Sequence, residues 1–123
     1  MGDIRVRAAR GAIRVNEDTD PSVLSATERL LGAMLERNAV EADDIVSAFF
    51  TVTEDLRSAF PAEAARRMGM GAVPLMCARE IHVDGAMGSV VRVLMHFHSE
   101  RTIDEVLHVY LDGAEVLRDD LDH

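Results

Sequence analysis

The segment SVVRVLMHFH, residues 89–98, constrains the fold most. It reads as one strand, and a period of two puts Arg92, Leu94, His96 and His98 on a common face. Arg92 sits mid-strand between Val91 and Val93, with apolar residues throughout its flanks. A guanidinium there is costly unless its head reaches water or a buried anion. Arg92 is therefore a candidate anion-binding residue.

Other segments supply partners for this strand. Residues 3–15 alternate, with Ile4, Val6 and Ala8 against Arg5 and Arg7, which predicts a strand with one wet face. Arg10-Gly11 interrupts it, and glycine inside a strand marks a bulge or a close backbone approach. DIVSAFFTVT (44–53) is rich in β-branched and aromatic residues and predicts a second strand. Val73 to Ala78 predict a third, which runs into Arg79 and Glu80. VYLDGAEVLR (109–118) holds strand residues around an Asp112-Gly113 turn.

Three helices are expected between the strands. Thr19-Asp20-Pro21 places a capping side chain before a first-turn proline, and Asn38 is a plausible stop. Val23, Leu24, Leu30, Leu31, Met34 and Leu35 form the apolar stripe between them. SAFPAEAARRMG (58–69) predicts a short helix, with Pro61 near its start and Gly69 past its end. Thr102 to Glu105 match a capping box and predict a third helix through about His108. The order βαβαββαβ implies an α+β fold, a mixed sheet with helices on one face. A chain of 123 residues suggests a single domain, 1–123, whose small core would gain from oligomerisation.

Charge and composition narrow the partners. A net charge of −9 makes nucleic acid and anionic membranes poor ones. One cysteine rules out an internal disulfide, and neither a secretory apolar region nor a membrane span is seen, so a cytoplasmic location is expected. All 13 basic side chains are arginine. Each is a permanently charged planar fork suited to carboxylates, although genome composition alone could produce this bias.

Candidate chemistry other than anion binding is weak. His96 and His98 lie two apart on one face, but no third ligand stands at a set distance, so no metal is expected. Cys77 with a histidine could form a nucleophilic dyad, yet a lone cysteine in an apolar strand is usually a small core residue. Arg10 at its glycine, Arg66 on the short helix and Arg118 after Val116-Leu117 each read as surface residues when taken alone. The residues by themselves indicate an anion-binding α+β domain.

RAARGAIRV, FPAEAARRMG, VPLMCARE, VVRVLM, HVYL and VLRDDL occur in the order and spacing of the small AroH-class chorismate mutases. The chain resembles that family over nearly its whole length. The resemblance implies a homotrimeric pseudo-α/β-barrel with active sites in clefts between neighbouring subunits. It implies the Claisen rearrangement of chorismate to prephenate, the branch step towards phenylalanine and tyrosine, with no cofactor. By the same resemblance Arg92 faces the ether oxygen, Arg10 holds a carboxylate and the same region, and Glu80 accepts a hydrogen bond from the ring hydroxyl. Cys77 lines the pocket near the ring, Tyr110 contacts the enolpyruvyl carboxylate, and Phe60, Arg66, Leu117 and Arg118 complete the wall. Glu63 stands where the family often carries a basic residue, and the tail VLRDDLDH lacks a proline after Arg118. Two alternatives are a non-catalytic trimer that binds small carboxylates through the same arginines, and a trimer like the enamine deaminases.

Overall fold

The computed structural model describes residues 2–121, the side chains of 118–121 excepted. Five strands form one mixed sheet: β1 (Arg5–Arg14), β2 (Ile45–Val52), β3 (Leu75–Arg79), β4 (Val90–Ser99) and β5 (Val109–Leu111), in the order β3-β2-β4-β1-β5. β4 runs antiparallel to both its neighbours, β1 and β2, while β3 and β5 pair in parallel at the two edges. Helix α1 (Asp20–Arg37) and the short helix α2 (Ala62–Ala65) complete the fold.

The alternation of β4 divides the sheet into two faces. Val91, Val93, Met95 and Phe97 pack with Ala9, Ile13, Ala48 and Phe50 against Val23, Leu30, Leu31 and Met34 of α1. Among the described residues the other face carries no α-helix, and only the segment from Ala114 onward packs at one corner of it. Ile4, Val6, Phe49, Met76 and Leu94 are exposed there, Ile4 by 69% and Met76 by 60%. The apolar side of the alternation in residues 3–15 thus faces away from the core. Arg7, on the opposite side, is half-buried and donates from Nε to the Arg101 carbonyl at 2.8 Å.

Helix α1 begins and ends where its sequence signals stand. Thr19 caps its start, accepting from Ser22 N at 3.3 Å, and Asn38 caps its end. Asn38 is buried, and its amide also grips a distant loop. Nδ2 donates to the Met34 and Leu107 carbonyls at 2.9 Å each, and Oδ1 accepts from Leu107 N at 2.8 Å. α2 continues through a wider turn, Arg66–Met70, that closes on Gly69 at φ +92°.

Three expectations need correction. β1 is unbroken at Gly11. Of the two readings of the glycine, bulge or close approach, the close approach holds: a Cβ there would lie 2.6 Å from Met34 Sδ and 3.1 Å from Leu30 Cδ1. The helix expected through His108 is a single 3₁₀ turn, Ile103–Glu105, with the capping box of Thr102 and Glu105 intact. A capping box fixes a first turn, but no apolar stripe follows to extend it. Finally, strand structure after the Asp112-Gly113 turn is absent among the described residues; Ala114–Leu121 wind into a 3₁₀ helix.

Candidate active site

The sheet register gathers the arginines on the bare face. Arg92 pairs with Ala12 of β1 and Thr51 of β2, and Ala12 pairs with Tyr110 of β5. Tyr110, Ala12, Arg92 and Thr51 therefore form one row across four strands. Arg10 stands opposite Leu94 in the adjoining row. A cavity of about 270 Å³ lies between these rows, lined by Arg10, Phe49, Thr51, Arg92, Leu94 and Tyr110. One corner of the face is closed by Ala114 and Leu117 of the last helix, which pack with Ala12, Val90 and Tyr110.

Glu80 reaches Arg92 from the end of β3. Its backbone N–H donates to the Val52 carbonyl at 2.9 Å, and Oε1 contacts Arg92 Nε. That Nε is buried, and the contact lies outside hydrogen-bond geometry, so charge rather than a directed bond joins the pair. The Arg92 side chain keeps 37% of its exposure. Its Nε has no hydrogen-bond acceptor among the described residues, and the part-exposed head can offer a two-donor edge to an anion. Arg10 has no ion-pair partner among the described residues. Two permanent cations thus line a largely apolar cavity, with the Glu80 carboxylate against one of them, a local excess of positive charge in a chain of net −9. Short-range attraction in such a cleft is weakly screened and prevails over the distant net charge.

Of the other predicted residues, Cys77, Phe60 and Arg66 do not line this cavity within one chain. Cys77 pairs with Phe50 and packs against the main core. It lines a second cavity, about 410 Å³, together with Leu56, Phe60 and Arg79. Phe60 is 74% exposed. Arg66 points to Glu63 at 3.2 Å, and Glu63 also lies 3.8 Å from Arg67. Leu117 is brought to Tyr110, whereas the Arg118 side chain lies outside the described residues. His96 lies against Ser47 Oγ at 3.4 Å and meets Phe49 edge-on, with ring centroids 6.0 Å apart. Among the described residues no three His, Cys, Asp or Glu side chains cluster as a metal site would require.

Two residues beside the site escaped the sequence. His108 Nδ1 accepts from the Arg10 backbone N–H at 2.9 Å, which fixes the strand segment that carries Arg10. Its place two residues before Tyr110 was the only available signal. Asp55 joins the end of β2 to the start of β4. Its hydrogen bond from the Thr53 hydroxyl, assisted by those from Ser89, holds its carboxyl below the ordinary value of 3.8.

A site of this composition can clamp and polarise an oxygen-rich dianion. It holds no strongly activated nucleophile: Cys77 faces the core side of the sheet, away from both arginines.

Known proteins match this chain closely. A family model described as chorismate mutase type I matches residues 6–121. A chorismate mutase AroH of Thermus thermophilus is 50% identical over 118 residues, 95% of this chain and 97% of the relative. A chorismate mutase AroH of Bacillus subtilis (strain 168) is 37% identical over 117 residues, 94% of this chain and 92% of the relative. A solved chorismate mutase structure from Clostridium thermocellum superposes with a TM-score of 0.88 at 45% identity, covering 89% of this chain and 98% of that one.

Proposed function

The chain belongs to the type I chorismate mutase family, and from that membership we propose how its residues convert chorismate to prephenate. The rearrangement is intramolecular: one carbon–oxygen bond breaks as one carbon–carbon bond forms, with no atom gained or lost. It needs no nucleophile, metal, cofactor or proton transfer. It needs the flexible dicarboxylate held with its enolpyruvyl arm over the ring. It also needs stabilisation of the negative charge that grows on the ether oxygen.

Arg92 carries the second task and Arg10 assists it while holding a carboxylate. Glu80 accepts from the ring hydroxyl and, through its contact with Arg92 Nε, steadies the guanidinium that must donate to the oxygen. Tyr110 contacts the enolpyruvyl carboxylate from the other end of the row. The observation that carries this reading is the convergence of Arg92, Arg10 and Tyr110 on one cavity with Glu80 against Arg92.

The working enzyme is a cytoplasmic homotrimer. An uncovered sheet face that exposes Ile4, Val6, Phe49, Met76 and Leu94 supports this, because a contiguous apolar patch favours burial against another copy. Phe60 and Arg66 lie off the Arg92 cavity within one chain, which fits their being supplied to the site of a neighbouring subunit, with Cys77, Leu117 and Arg118 completing the wall. The test is direct: purified protein is mixed with chorismate, and loss of its absorbance is followed while prephenate is identified by NMR. A folded protein that leaves chorismate unchanged would refute the proposal and favour a non-catalytic carboxylate-binding trimer.

A further inference from the structure

We propose that Asp55, which forms neither a hydrogen bond nor an ion pair with Arg92 or Glu80, is a positioning residue that sets the two against each other; the inference rests on the function proposed above. Glu80 and Arg92 are joined by the segment 81–89, and both ends of that segment are tied to the same short stretch at the end of β2. At one end Glu80 N–H donates to the Val52 carbonyl. At the other, the Asp55 carboxylate takes hold of Ser89. Ser89 N–H donates to Oδ1 at 3.1 Å and to Oδ2 at 3.0 Å, and its hydroxyl donates to Oδ2 at 3.1 Å.

The rest of the turn is built around that grip. Ser89 holds φ +58°, a left-handed conformation that a residue with a side chain adopts at a cost and that local bonds must maintain. A Cβ at Gly88 would lie 2.9 Å from Asp55 Oδ2, so glycine is what lets the chain pass so near the carboxylate. The Thr53 hydroxyl donates to Asp55 Oδ1 and accepts from Val90 N–H at 3.0 Å, while Thr53 N–H donates to the Val90 carbonyl at 3.1 Å. Ser89 also gives its carbonyl to Val15 N–H at 2.7 Å. These bonds fix the residue at which β4 begins, two positions before Arg92. The segment between Glu80 and this turn packs little of its own surface, since Ile81 and Val83 are exposed. The anchors at its ends, more than its packing, therefore fix the Arg92–Glu80 contact.

Loosening the anchor should injure the reacting geometry more than ground-state binding. Arg92 acts on charge present only in the transition state, and such a contact is sensitive to small displacement. Asp55→Ala is expected to lower kcat about 10- to 100-fold, with KM changed much less. The decisive experiment is a double-mutant cycle with Arg92→Ala, in a protein shown by circular dichroism to be folded. If Asp55 acts through Arg92, removing it from the Arg92→Ala background costs little further activity. Equal fold losses in the two backgrounds, or an Asp55→Ala enzyme with the parent kcat, would overturn the inference. Asp55→Asn keeps an acceptor for Ser89 and should retain more kcat than alanine. Should the alanine variant not fold, Asp55→Asn replaces it in the cycle, where a loss confined to the Arg92 background supports the inference and equal losses overturn it. The parent's own turnover of chorismate, measured alongside, tests the underlying function separately.

Discussion

Glu80 is where charge and hydrogen-bond acceptance can be separated. Its side chain is 23% exposed and forms an ion pair with the buried Arg92 Nε, which has no hydrogen-bond acceptor among the described residues. Glu80→Ala removes the partner of that Nε and the acceptor proposed for the substrate hydroxyl. Glu80→Gln keeps an oxygen for the substrate hydroxyl but loses the charge that joins Glu80 to Arg92. A hydrogen bond involving a charged group contributes about 1.5–3 kcal/mol, so alanine should lower kcat/KM by about 10- to 150-fold. Glutamine should lose distinctly less. Stability should fall slightly in both variants, since each removes the ion pair with Arg92, and a part-exposed pair contributes about 0–1 kcal/mol. The half-exposed Arg92 head, free to turn to water, holds the stability loss near the lower figure. Steady-state kinetics on chorismate and urea unfolding of the three proteins check both statements. Equal damage from alanine and glutamine would mean that the site uses the negative charge itself, and the hydrogen-bond role would be withdrawn.

Cys77→Ala should retain substantial activity, because the rearrangement forms no covalent intermediate and Cys77 packs against the core; a folded Cys77→Ala protein without turnover, or a trapped thiol adduct, would contradict this. Gly11→Ala should destabilise the fold by about 1–3 kcal/mol, the usual cost of overpacking, because the added Cβ meets Met34 and Leu30, and a melting temperature equal to the parent's would show that α1 yields more readily than its packing suggests. Sedimentation should show a trimer, and a stable, fully active monomer would remove the shared-site account.

Much of the site was legible because its chemistry is rare. An arginine inside an apolar strand has few explanations, and Arg92 does line a cavity. Glu80, Tyr110 and Arg10 were singled out only by the resemblance to the chorismate mutase family; periodicity alone could not supply them. The fold was legible where long patterns govern, as in α1 and β4. It failed where short signals had to decide length: the Thr102 capping box starts a turn without the apolar stripe that would prolong it. The bare face was misjudged for a related reason. In residues 3–15 Val6 and Ala8 look like core residues, yet the side bearing Arg7, Ala9 and Gly11 meets α1, and Gly11 is what allows α1 to approach. His108, Asn38 and Asp55 act through hydrogen bonds to segments distant in sequence, and those bonds exist only once the sheet is assembled.

The central claim is that a fixed positive charge at Arg92 drives the rearrangement. Replacing Arg92 with citrulline by semisynthesis keeps the planar shape and removes the charge. Losing a preorganised donor of this kind typically costs about 10²–10³ in rate, and the loss for Arg92→citrulline should reach or exceed the upper figure once the neighbouring subunit of the proposed trimer closes the pocket. Turnover of chorismate at nearly the parent rate, with substrate affinity also unchanged, would contradict the account and withdraw the ether-oxygen role from Arg92.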